Sequence, residues 1–250
     1  MYNCLNEKLL NLQKDWLLQI NADELAKDYP ISRPFCFAVT KEFTKTDRRI
    51  MIVGQEAANY GLYSSAWPVE EIQVFNVEYV SKQLGYKEND HAYNRSPFWK
   101  LFRKLKDSGF EPVWNNIDKF HRVYMEQDKD GKDKEKTVPL SSEIERLVDA
   151  PYGEEKKSLL VREIELTNPC AVLFVIGPYY HEALSLSLGI SDDTICDYKP
   201  NKAQPCRVLS DVASLGRPVL WSYHPAYLNR VHELDTVVAK VKSLLSAEGR

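Results

Sequence analysis

Apolar positions recur at helical spacing over residues 5–20, where Leu9, Leu10, Leu12, Trp16, Leu17 and Ile20 share a stripe. The short, mostly apolar stretch at 49–53 (RIMIV), closed by Gly54, predicts a buried strand. Residues 69–84 carry a looser helical pattern. Ser96-Pro97 then opens a helix with Phe98, Leu101, Phe102 and Leu105 on one face. Lys100, Arg103, Lys104 and Lys106 lie elsewhere on it, and Gly109 ends it. Residues 112–117 (PVWNNI) predict a second strand. An amphipathic stretch at 158–166 stops at Asn168-Pro169. Residues 171–176 (AVLFVI) form the clearest buried strand, and Gly177-Pro178 leads from it into a helix. A fourth strand is predicted at 218–222 (PVLWS) and a closing helix at 231–245.

Strands alternating with helices predict an α/β fold, a three-layer α/β/α sandwich around a short, mostly parallel sheet of about four strands. Strands this short and apolar need cover on both faces. The 250 residues suit one domain, 1–250, in which 1–45 is expected as an N-terminal helical extension. The run at 127–136 (QDKDGKDKEK) has no apolar period and is expected, with residue 137, as a charged surface loop.

Composition narrows the classes. The hydrophobic fraction of 44% supports a sizeable core, and the net charge of -3 does not announce a polyanion binder. The five cysteines are odd in number and none are spaced as CxxC, so neither a disulfide framework nor a metal centre is expected. No apolar run is long enough to span a bilayer and no leader pattern opens the chain; with cysteines expected as reduced thiols, a cytoplasmic protein is expected, and a monomer.

The candidate chemistry follows the strands. Gly54-Gln55-Glu56-Ala57-Ala58-Asn59-Tyr60-Gly61 comes after the first, and the second closes with Asn115-Asn116-Ile117-Asp118-Lys119. Gly177-Pro178-Tyr179-Tyr180 follows the third. Tyr223-His224-Pro225-Ala226-Tyr227-Leu228-Asn229-Arg230 follows the fourth. In a parallel sheet these ends share one edge, where α/β proteins bind ligands. There Glu56 can position a water, and His224 can donate to developing negative charge. Asn116, or its neighbour Asn115, can read the edge of a planar heterocycle. Tyr60 can stack on such a ring, and Arg230 can hold a phosphate.

In this order the segments resemble the motifs of the uracil-DNA glycosylase superfamily. That family carries Gly-Gln-Asp-Pro-Tyr-His or Gly-Met-Asn-Pro-Gly-Pro-Phe-Gly after its first core strand. Gly54 and Gln55 match the first form, Tyr60 and Gly61 match the end of the second, and Glu56 stands at the catalytic position. Asn116-Ile117-Asp118-Lys119 is similar to the family's Asn-Val-Val-Lys. His224-Pro225-Ala226 is similar to its His-Pro-Ser, with Leu228 or Tyr227 at the place of the residue that wedges into DNA. Ala57 stands where the family has Pro, and Ala226 where it has Ser.

The resemblance, over residues 49–245, implies a DNA partner and excision of uracil or a related base by hydrolysis of the N-glycosidic bond. His224 would stabilise the leaving anion, and no metal or organic cofactor would take part. Two alternatives stay open: a non-catalytic member binding a nucleobase, nucleotide or nucleic acid, and a small-substrate hydrolase on the same fold.

Overall fold

The computed structural model describes residues 2–55, 61–64, 66, 68–86, 95–127, 130–131, 133–209 and 215–247. Its central sheet has five strands, β1 (Arg49–Gly54), β2 (Glu111–Asn116), β5 (Ala171–Phe174), β6 (Cys206–Val208) and β7 (Val219–Ser222), in the order β2-β1-β5-β7-β6. Four strands run parallel, and β6 pairs antiparallel with β7 at one edge. The sheet is thus one strand wider than the apolar runs predict. At three residues, with Arg207 in its middle, β6 is too short to show a period.

Period-two alternation sorts the strand residues between two helical layers. Met51 and Val53 of β1, Val172 and Phe174 of β5, and Val219 and Trp221 of β7 enter one buried cluster. On that face lie α1 (Tyr2–Gln19), α6 (Leu159–Thr167) and α7 (His181–Leu188), contributing Leu9, Ile164 and Leu184. Ile50, Ile52, Leu173 and Leu220 point the other way. They meet Leu101, Phe102 and Leu105 of α4 (Pro97–Asp107) and Val237 and Val241 of α10 (Leu234–Ala247).

The N-terminal segment is not an appendage. Leu9, Phe35, Phe37, Val39 and Phe43 belong to the first cluster, and Trp16 donates its indole N–H to Val148 O at 3.0 Å. Trp16 also anchors a third cluster with Leu25 of α2 (Ala22–Asp28), Phe120 and Leu159.

The charged run also differs from expectation. Most of it is the antiparallel hairpin of β3 (Arg122–Gln127) and β4 (Asp133–Val138). Only Val123 of the hairpin's strands is buried, so neither face needs an apolar stripe and the pattern carries no strand signal.

Connections give the sheet its crevice. The link from β1 through α3 (Val69–Gln83) and α4 leads to β2 on one side. The chain then returns through the hairpin, α5 (Ser142–Asp149) and α6 to β5 on the other side of β1. The outgoing connections of β1 and β5 therefore diverge, and it is beyond the carboxyl ends at such a point that α/β proteins bind ligands in a crevice. Among the described residues, no helix is long and apolar enough to cross a membrane.

Candidate functional site

Hydrogen bonds stitch the carboxyl ends of the four parallel strands together. Gly54 O accepts from Ile117 N at 2.9 Å, and Gln55 O accepts from Asp118 N at 3.0 Å. The Gln55 side chain reaches the other way, its Nε2 donating to Ile176 O at 2.7 Å. Gln55 thus straps β1 to both neighbours. Gly177 does the same between β5 and β7: its N–H donates to Ser222 O at 3.0 Å, and its carbonyl accepts from Trp221 Nε1 at 3.1 Å. It does so at φ 78 and ψ 169, a region that glycine alone enters without strain.

Asn115 and Asn116 are adjacent on β2 and face opposite ways. Asn115 turns into a buried polar network: its Nδ2 donates to Glu163 Oε2 at 2.9 Å, and its Oδ1 accepts from Lys119 Nζ and from Asn116 N. Its side chain is spent on structure. Asn116 closes β2 and is 1% exposed. Its Oδ1 accepts the indole N–H of Trp114 at 2.7 Å. Because indole only donates, this contact fixes which end of the amide is oxygen. Asn116 Nδ2 is then a buried donor without a partner among the described residues. Gly54 makes room for it, since a Cβ there would stand 2.8 Å from Asn116 Oδ1 and 3.1 Å from the Phe98 ring.

His224 caps α9 (Pro225–Arg230), with Pro225 at the first helical position. Its Nδ1 accepts from Ala226 N at 3.2 Å, which places the ring proton on Nε2. Burial lowers its pKa from 6.5, so the ring is a neutral Nε2–H donor. The helix turns Leu228 inward, where it is 0% exposed in the second cluster, so it cannot enter a base stack, contrary to its assignment as a wedge. Tyr227 stays at the rim, its ring 4.4 Å from that of Tyr223, and the exposed Arg230 guanidinium lies 5.4 Å from the Tyr227 centroid. Tyr179, on the loop after β5, is 92% exposed.

Glu56 and Tyr60 lie outside the described residues. The carboxyls that do gather near this edge are those of Asp118, Glu145 and Asp149, with ligand oxygens within 4.8 Å of one another. Burial, then the neighbouring Glu145, holds Asp149 well above the usual carboxylate range, against the pull of Lys119. Lys119 itself forms an ion pair with Glu163 at 2.7 Å, the side chains 1% and 0% exposed.

Sequence reasoning missed Phe98 and Trp114 as neighbours of Asn116. Phe98 and Trp114 read as core, and their rings lie 5.9 Å apart beside Asn116. The basic residues of α4 form no free stripe: Lys100 donates to Asn229 Oδ1 at 3.0 Å, Lys104 pairs with Asp235, and Lys106 donates to Leu84 O. No protein-family model matches the chain, and no curated protein matches it. Any functional reading therefore rests on the site's own geometry and on the motif resemblance.

Proposed function

We propose that the chain takes a single nucleobase into the crevice beyond β1 and β5 and hydrolyses its N-glycosidic bond, uracil or a related base in DNA being the substrate. The observation that carries this reading is the unspent Nδ2 of Asn116, oriented by Trp114 and buried beside Gly54. A buried donor left unpaired costs about 1–3 kcal/mol, which an incoming ring carbonyl removes. The end of β7, carrying His224, is three strand spacings from the end of β2, roughly 14 Å. That width spans a base with its sugar.

The chemistry follows from the groups. As the bond to the sugar lengthens, the electron pair leaves with the base and positive charge grows on the deoxyribosyl ring. The neutral His224 Nε2–H donates to the forming base anion without surrendering a proton, and Asn116 holds the base edge. Water adds to the anomeric carbon and loses a proton. Glu56, by sequence position alone, is the group assigned to orient that water and take the proton.

The test is release of free uracil from single- and double-stranded oligonucleotides. Wild-type release, with losses on the order of 100-fold or more in His224→Ala and Glu56→Gln, supports the reading. Binding of the oligonucleotide without any released base refutes the catalytic step and leaves a base-binding protein. Neither release nor binding refutes both.

A further inference from the structure

We infer that His181, Asp192 and Cys196 form a zinc-binding site, separate from the crevice residues and not expected from the cysteine spacing. His181 is the first residue of α7, and Asp192 and Cys196 are the first and last of α8 (Asp192–Cys196). An i, i+4 pair lies on one helical face, and the packing of α7 against α8 brings His181 to it.

The separations fit one tetrahedral ion. His181 Nε2 lies 3.7 Å from Asp192 Oδ2, and Cys196 Sγ lies 3.8 Å from the same oxygen. All three ligand atoms fall within 4.8 Å of one another. Zinc bonds of about 2.0–2.1 Å to N and O and about 2.3 Å to S give tetrahedral edges of about 3.3 Å (N to O) and about 3.6 Å (S to O). Side-chain shifts of a few tenths of an ångström would close these two edges, and the nitrogen-to-sulfur edge, within 4.8 Å against about 3.6 Å in a tetrahedral site, needs a shift of about 1 Å or less.

The donor set points the same way. One imidazole, one carboxylate and one thiol suit zinc, and a thiolate disfavours magnesium or calcium, which take oxygen. His181 Nδ1 is buried without a partner among the described residues, so the cluster is the polar contact the ring makes there. His181 and Cys196 are half-buried, accessible to an ion yet held by packing. A cavity of about 260 Å³ borders Asp192 and is lined also by Glu145, Glu182 and Ser185.

Binding would displace the thiol proton to solvent and tie the start of α7 to α8. That start directly follows the turn at 178–180, on the rim of the sheet's carboxyl edge. The role is thus a clamp behind the loop after β5, and it stands whether or not the crevice excises bases.

The test uses the full chain, stripped by a chelator and titrated with zinc alone, with calorimetry and elemental analysis for stoichiometry. One equivalent is expected, weakened on the order of 10-fold or more in His181→Ala and in Cys196→Ser. Cys4→Ser, which alters an exposed thiol far along the chain, is the control and should bind as wild type. Cobalt in place of zinc should give a thiolate-to-metal charge-transfer band that Cys196→Ser abolishes. The wild-type cobalt spectrum needs no variant to fold. Absence of that band, absence of stoichiometric zinc, or unchanged affinity in both variants would overturn the site.

Discussion

Glu163→Gln should be among the most damaging isosteric substitutions in the protein. The carboxylate of Glu163 is 0% exposed and receives three donors: Lys119 Nζ at 2.7 Å, Asn115 Nδ2 at 2.9 Å and Gln13 Nε2 at 3.0 Å. An amide at that position presents an NH2 group to neighbours that are themselves donors. It also leaves the Lys119 ammonium, 1% exposed, without its counter-charge. Stranding a buried charge in this way costs roughly 3–5 kcal/mol. Against a typical total stability of about 5–15 kcal/mol, the variant should stay folded at 25 °C with little reserve.

The neutral pair distinguishes charge from packing. Lys119→Met with Glu163→Gln removes both charges, so the double variant should lose less than the sum of the single losses, by about 1–3 kcal/mol. Urea unfolding at neutral pH, followed by tryptophan fluorescence and by far-ultraviolet circular dichroism, measures each corner of the cycle. The reasoning is refuted if Glu163→Gln lies within about 1 kcal/mol of wild type, the range of an ordinary surface change. Additivity of the two single losses would refute it equally. The crevice is involved as well, because Asn115 Oδ1, which accepts from Lys119, also accepts the N–H of Asn116.

Two further outcomes are expected. Gly54→Ala places a methyl group 2.8 Å from Asn116 Oδ1, so the amide must leave Trp114 or β1 must shift. A stability loss of about 1–3 kcal/mol in urea unfolding is expected, together with impaired base recognition, and an unperturbed variant would show that the contact relaxes freely. His121 is 2% exposed, and burial lowers its pKa from 6.5 to about 4. A folded pKa below the unfolded one stabilises the protein above pH 6.5, and that stability drains away as pH falls toward about 4, to a limit of about 3 kcal/mol. His121→Gln should flatten this part of the stability profile, and an unchanged acid slope would discard the assignment.

The sequence carried the two central strands β1 and β5 because a strand buried on both faces is apolar along its length, as residues 50–53 (IMIV) and 171–176 (AVLFVI) are. It carried the helix at Pro97 through the proline and the stripe of Phe98, Leu101, Phe102 and Leu105. It did not carry β3, β4 or β6, whose pairing rests on backbone bonds that leave no mark on side-chain pattern. The choice between Asn115 and Asn116 was likewise closed to it. Adjacent strand residues face opposite ways, and only the partners, Glu163 for one and Trp114 for the other, tell which is tied into the buried ion pair and which keeps an unpaired Nδ2.

Helical period also decides what the rim can touch. In α9 the positions three apart, Pro225 and Leu228, are both buried, so the helix cannot present Leu228 without losing its seat in the core. The side chains left at that rim are Tyr223, Tyr227 and Arg230, an aromatic pair with a cation over it. Under the proposed reading such a surface would stack bases whatever their identity, at about 1–3 kcal/mol per base, without the buried Leu228 to open a duplex. Extruding a base from a duplex costs a few kcal/mol, least where the base is already unpaired. Under the proposed reading, the same crevice should therefore act faster on uracil in a single strand than on uracil in a duplex.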